Sequence, residues 1–220
     1  MSRKTWIILG VLVLLIAGGG AWYFLSGESD MQSVGQASAA PVYQPLPTDH
    51  TFGNRNAKVT VIEYASPTCP VCANFMINMY PRLKKDYIDT GKIFYVYRTF
   101  LRNPDDAAAE KLARCFPADK YMSFTDALFR NQQKWDYEYG VPSPDGVHVA
   151  LLDLAAASGM SADAANKCLV ATTDDDTISK VGEDGVAKYK VNATPTFVIN
   201  GEGQAGFEAF FERLDAALAK

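Results

Sequence analysis

Positive charge is in short supply in this sequence: 21 Lys and Arg stand against 25 Asp and Glu, for a net charge of -4, and the body of the chain carries no basic cluster. Nucleic acid is set aside as a partner, because its phosphates demand a Lys/Arg surface. Histidine is scarcer, with only His50 and His148, and cysteine is limited to Cys69, Cys72, Cys115 and Cys168. No second C-x-x-C and no H-x-x-x-H accompanies Cys69 and Cys72, so a closed zinc site would have to recruit isolated residues, and no metal site is expected. No internal repeat is visible. What remains, 220 residues of which 48% are apolar and 21% charged, is an ordinary globular composition with room for one domain and a tail.

The tail differs in kind from the body. Residues 6–25 are an uncharged apolar run, and at about 1.5 Å per residue they reach across a hydrocarbon core of roughly 30 Å. Trp6 at one end, and Trp22 and Tyr23 at the other, suit the two water interfaces. Arg3 and Lys4 precede the run and Glu28 and Asp30 follow it, which predicts residues 1–5 in the cytoplasm and the rest across the inner membrane. A cleaved signal peptide is the rival reading. Ala37, Ser38 and Ala39 resemble a processing site, but they lie far downstream of the apolar run, so a retained single-pass anchor is preferred. Either way the body is exported, to the periplasm or its equivalent, where disulfides persist. Residues 26–50, rich in Ser, Ala, Gln, Gly and Pro, read as a flexible linker with His50 at its end.

The body opens with a β-branched and aromatic run, "KVTVIEYA" at 58–65, predicted as a strand. Cys72, Phe75, Met76 and Met79 then recur at helical spacing, and Pro81 is expected to kink that helix rather than start another. "KIFYVYRTF" at 92–100 is a second strand, and a connection this long implies that the two strands are parallel. A stretch without strand signals follows. Asn103-Pro104 and Ser143-Pro144 begin helices, with further segments near 119–132, 161–171 and 174–190. The acids at 174–176 read as a solvated helix start. His148 reads as a helix residue rather than a ligand, and the aromatics at 135–139 either pack a surface loop or line a peptide groove. "TPTFVING" at 194–201 gives a short strand and an Asn-Gly hairpin signal, and 207–220 an amphipathic closing helix.

A cysteine on the first turn of a helix exposes its sulfur to free backbone N–H groups and to the positive end of the helix dipole, and both favour the thiolate. Cys69 is that residue, Pro70 fits the turn, and Cys72 lies one turn deeper on the same face. This makes an exposed attacker and a shielded resolver. Half a zinc site and a structural staple remain the alternatives, although a disulfide inside one helical turn closes too small a loop to stabilise much.

Strand, C-P-x-C at a helix start, strand, helical insertion, then Thr-Pro leading a strand, a hairpin and a final helix: over roughly residues 50–220 this order resembles the DsbA family of extracytoplasmic thiol-disulfide oxidoreductases. The resemblance implies an α/β thioredoxin fold at 51–220, a central mixed β-sheet flanked by helices, with a helical insertion at about 103–190. It implies Cys69 as nucleophile and Cys72 as resolving cysteine, flanking Pro70 and Val71. Pro195 matches a cis-proline held beside the pair, and Thr194 the residue whose backbone pairs with an extended substrate. Glu63 matches an acid on the strand beneath the site, where alternation points it the same way as Val61 and Ala65 and could let it relay protons to Cys72; a surface salt bridge is the plainer alternative.

No cofactor beyond the cysteines is implied. The implied partners are exported proteins bearing thiols or disulfides and a membrane redox partner. Dithiol oxidation is the preferred direction, with a reductase or isomerase, or a non-enzymatic peptide-binding module, as alternatives. Val71 departs from the pattern, standing where the best-known member has a histidine that helps stabilise the thiolate. The Cys69 pKa is therefore expected between about 3.5, known for that member, and about 7, known for thioredoxin. Cys115 and Cys168 are expected to form a structural disulfide, since exported proteins seldom leave spare thiols and some relatives carry cysteines at similar places.

Overall fold

Two long apolar strands and one short one form the spine of the molecule, and the order in which they pair decides where the cysteines stand. The computed structural model describes residues 43, 46, 48–173 and 175–220. Strand β1 (His50–Gly53) pairs antiparallel with β3 (Ile93–Thr99), which lies parallel to β2 (Val59–Ala65). On the other side of β2, β4 (Thr196–Ile199) runs antiparallel to it and to β5 (Glu202–Ala205). The result is a five-stranded mixed sheet in the order β1-β3-β2-β4-β5. Parallel strands need a long crossover. Here it consists of α1 (Pro70–Asn78), α2 (Tyr80–Leu83) and a π-helical turn, Lys84–Ile88. The β4-β5 turn has positive φ at both Asn200 (48°) and Gly201 (92°), as a tight two-residue hairpin turn requires.

Between β3 and β4 lies the helical insertion: α3 (Pro104–Arg114), α4 (Ala118–Arg130), α5 (Gln132–Trp135), α6 (Pro144–Ala157), α7 (Ala162–Val170) and α8 (Asp175–Tyr189). The Asn103 and Ser143 side chains cap α3 and α6 by accepting from the Asp106 and Gly146 N–H groups. A Cys115–Cys168 disulfide, as expected, joins the end of α3 to α7 across 53 residues. A loop of that length restricts the unfolded chain by about 4 kcal/mol. Helix α9 (Phe210–Leu218) closes the chain.

Alternation along β2 divides the core. Val59, Val61 and Ala65 pack with Tyr95, Tyr97 and Phe197 under Cys72, Phe75 and Met76 of α1. Phe75, Phe197 and Phe210 meet there with ring centroids 4.5 to 5.4 Å apart. On the opposite face Ile62, Tyr64, Val96 and Val198 meet Val181 and Tyr189 of α8. Helix α8 comes so close that a Cβ on Gly185 would stand 2.6 Å from the Tyr64 ring, so only glycine fits.

The expected span at 6–25, residues 1–5 and most of the linker lie outside the described residues, as does Asp174. Among the described residues no helix is long and apolar enough to cross a membrane. The end of the linker, however, is built into the fold. Arg98, buried in β3, donates two hydrogen bonds to the Asp49 carboxylate (2.6 and 2.9 Å), one to the Tyr64 hydroxyl (2.6 Å) and one to Asp184 (3.2 Å). Asp49 also accepts from the Tyr43 hydroxyl and the Leu46 N–H, both at 2.8 Å. His50 opens β1 and stacks on Tyr121 at 3.3 Å. The buried arginine needs a carboxylate, and the chain before β1 supplies it. Pro81 does not bend one helix: α1 ends at Asn78 and Pro81 falls in the first turn of α2, where its missing N–H has no helical partner to lose. The closing helix starts at Phe210, after Ala209 in a left-handed conformation, so Phe207 precedes it.

Asp49→Ala should lower the unfolding free energy by about 3–5 kcal/mol, the usual cost of removing one partner of a buried pair. Urea denaturation reads this directly, and a loss below about 1 kcal/mol would mean the segment before β1 contributes nothing to the fold.

Candidate active site

Strand β2 ends at Ala65, and four residues later the chain turns into α1 with Cys69 as its N-cap, in extended conformation (φ -82°, ψ 120°), and Pro70 at the first helical position. The Cys69 N–H donates to the Ser66 carbonyl and its own carbonyl accepts from the Ala73 N–H, both at 3.0 Å. Its sulfur is therefore left facing the free end of the helix. Both cysteines are free thiols here, and Cys69 is not the exposed attacker expected: packed against Thr194, it keeps 5% of its surface exposed, and Cys72 none.

The two sulfurs differ sharply in acidity. The Cys69 thiol is pulled down to about 5, chiefly by a hydrogen bond from Cys72. Burial opposes this, while the Thr194 side chain and the N–H groups of Cys72 and Val71 reinforce it. The Cys72 thiol is pushed far up by burial and then by Cys69. One proton is thus held between them, on Cys72. The value for Cys69 falls inside the interval expected from Val71, whose side chain is 45% exposed and which lends the sulfur only its N–H.

The Thr194-Pro195 bond is cis, as expected, and the Thr194 carbonyl lies 3.4 Å from the Cys69 sulfur, where it accepts the S–H of the protonated thiol. Residues 125 positions apart are brought together because β4 lies beside β2. Glu63 is not in a surface salt bridge. It is completely buried, takes a hydrogen bond from the Tyr95 hydroxyl on Oε2, and its Oε1 has no partner among the described residues. Burial pushes its carboxyl up to about 8, against the Tyr95 bond, so it holds its proton at neutral pH. Once ionised, it adds to the upward push on the Cys72 thiol, so the carboxyl lies within electrostatic reach of Cys72.

Two residues of the site gave no sequence signal for this role. Asp106, readable only as an acid in the first turn of α3, is buried and accepts from the Ser66 hydroxyl (2.8 and 2.9 Å), the Thr68 N–H (2.9 Å) and the Arg102 N–H (2.7 Å). Gln132 of α5 donates its amide to the carbonyls of Pro67 (2.7 Å) and Cys69 (3.0 Å). The loop before Cys69 is thus held by the insertion from two directions. Of the aromatics at 135–139, Trp135 is core, donating to the Leu128 carbonyl at 2.8 Å, while Tyr137 and Tyr139 are exposed. The isolated zinc candidates are spoken for: Cys115 pairs with Cys168, His50 stacks on Tyr121, and His148 bonds Asn166 at 3.1 Å. Among the described residues no cluster of His, Cys, Asp and Glu is placed to hold a metal ion.

The sheet, the insertion and a cysteine pair at a helix start beside a cis-proline define a thioredoxin-fold protein with a paired-thiol site. A family model described as thioredoxin matches residues 46–218. The chain is 35% identical over 158 residues to a protein of Rickettsia bellii provisionally named a protein-disulfide oxidoreductase, covering 70% of this chain and 57% of that one. It is 25% identical over 219 residues to a probable disulfide bond formation protein D of Bacillus cereus, covering 97% of this chain and 95% of the other. Among solved structures, α-DsbA1 of Wolbachia pipientis superposes with a TM-score of 0.72 at 29% identity, covering 83% of this chain and 96% of that one. The chain belongs to the thioredoxin family, and its fold is similar to that of the DsbA structures. It spans between 54% and 60% of the length of the Rickettsia relatives it matches.

Two outcomes are expected. Alkylation of reduced protein should follow a single ionisation with a midpoint near 5, all of it at Cys69; a midpoint near an ordinary thiol value of about 8.5 would contradict the assignment. Glu63 gives the opposite dependence. Its folded value lies above its unfolded one, so its contribution to stability is whole below pH ~4.5 and is lost as pH rises toward about 8. Glu63→Gln should flatten the stability profile across that window, with the gain over the parent greatest at its alkaline end, as read by thermal unfolding at a series of pH values.

Proposed function

We propose that the protein is an extracytoplasmic thiol:disulfide oxidoreductase that oxidises dithiols in exported proteins. The observation that carries this is the unequal division of one proton between Cys69 and Cys72. A stabilised thiolate stabilises the reduced pair, which makes the corresponding disulfide a better oxidant.

In the oxidised enzyme Cys69 and Cys72 are joined. A substrate thiolate attacks the Cys69 sulfur and forms a mixed disulfide, and Cys72 leaves as a thiolate. Glu63, protonated at neutral pH, is the source of the proton that Cys72 then takes up. A second substrate thiolate attacks the substrate sulfur of the mixed disulfide and displaces Cys69, whose low pKa makes it a good leaving group. Two electrons have passed from the substrate thiols to the cysteine pair, and the substrate carries a new disulfide. Thr194, next to cis-Pro195, offers the backbone against which an extended substrate segment pairs. A membrane redox partner reoxidises the pair, and residues 6–25 tether the enzyme beside it, the linker ending where Tyr43 and Asp49 dock.

A reductase or isomerase is the second reading. It is favoured by Val71, which gives the sulfur no side-chain donor and leaves Cys69 less acidic than in the best-known oxidase of the family.

Redox titration of the pair against glutathione separates the two. The oxidase predicts a potential nearer ~-120 mV than ~-270 mV. Cys72→Ala should accumulate mixed disulfides with exported proteins through Cys69, and Cys69→Ser should lose both these adducts and the oxidation of a reduced test protein. Peptide binding that persists without any adduct would replace the enzyme by a binding module on the same fold.

A further inference from the structure

The thiolate's surroundings name its donors, but not what keeps them aimed. Residues 66–69 carry no regular structure, yet most of their backbone polar groups find partners within the fold. The Ser66 carbonyl takes the Cys69 N–H, and Asp106 takes the Thr68 N–H. The carbonyls of Pro67 and Cys69 both converge on a single group, the side-chain amide of Gln132. Since both partners are acceptors, only the NH2 end of the amide can serve them, which fixes its orientation. Gln132 is only 8% exposed and sits at the break between α4 and α5, after Asn131 has left helical geometry.

A carbonyl oxygen turned toward a thiolate repels it, whereas an N–H turned toward it attracts it. The Cys69–Pro70 peptide has no N–H to offer in exchange, but its carbonyl and that of Pro67 bracket the backbone from which the Cys69 side chain leaves. Holding both carbonyls on Gln132 therefore fixes the direction in which the sulfur points relative to the N–H groups at the helix start. The Cys69 carbonyl still accepts the Ala73 N–H at 3.0 Å, so the Gln132 bond is additional to the first helical bond and does not replace it.

We propose that Gln132 is a positioning residue for Cys69: its amide, held by the helical insertion, fixes the orientation of the two carbonyls flanking the cysteine loop and so keeps the sulfur aimed at the amides of Val71 and Cys72. The inference rests on the reading of Cys69 as the reacting sulfur, and it gives the insertion a role in the chemistry as well as in packing. Gln132 does not touch the sulfur. It acts only through the backbone it holds.

Gln132→Met keeps length and bulk, removes the donor, and leaves Asp106 and every other charge near the loop unchanged. In the full chain, the alkylation midpoint of Cys69 should rise by about one pH unit, roughly a tenfold loss of thiolate at a fixed pH well below the midpoint. The potential of the pair should move in the reducing direction. A role confined to packing would lower stability and leave both unmoved. If the parent shows a depressed midpoint and Gln132→Met shows the same one, the inference fails while the proposed function stands. If the parent itself titrates as an ordinary thiol, the proposed function fails and this inference with it. Should the variant not fold, the parent answers: the side-chain amide protons of Gln132 should shift in NMR spectra with the midpoint of Cys69 ionisation, and signals indifferent to that titration would overturn the proposal.

Discussion

One proton held by the deeper of two sulfurs is the interaction on which the site depends. Cys72 keeps it because no surface of that residue reaches water, and a charge there would lack solvation. Having kept it, Cys72 can donate it to Cys69, and that bond is the largest of the effects that let Cys69 ionise. Burial and acidity, which oppose each other at a single thiol, are thus reconciled by dividing them between two. The arrangement requires Cys69 at the very start of a helix and Cys72 on the next turn, which is what C-P-V-C after a strand delivers.

The rest of the fold serves to hold that helix start in place. Parallel pairing of β2 and β3 carries α1 across one face of the sheet, and antiparallel β4 brings Thr194 and Pro195 to the same end. The insertion grips the loop before Cys69 through Asp106 and Gln132, while the disulfide joins two of the insertion's own helices. Glu63 is the costly element. A carboxyl buried in the sheet with one oxygen unpartnered among the described residues opposes folding as pH rises.

Local chemistry made much of this legible from residues alone. The strands at 59–65 and 93–99, the capped helices α3 and α6, the hairpin at Asn200-Gly201 and the cysteine pair are all written in neighbouring residues. Glu63 was legible in direction, by alternation with Val61 and Ala65, but its burial depends on what lies above it. What stayed hidden was set by distant partners. Asp49 looks like a linker residue until Arg98, 49 positions on, is seen to need it. His50 gives no sign of Tyr121, and Gln132 lies 63 residues from the carbonyl it holds. Pro81 shows the same limit at short range, since a proline within a helical pattern fits a bend or a restart equally well and the packing around it decides.

The most direct test of the account follows the Cβ carbons of Cys69 and Cys72 by NMR through a pH titration of the reduced protein. Cys69 should change over a single step near pH 5, while Cys72 responds only weakly there and stays protonated to well beyond pH 9. If Cys72 loses its proton first, or if the two sulfurs ionise together at an ordinary thiol value, the division of the proton proposed here is wrong.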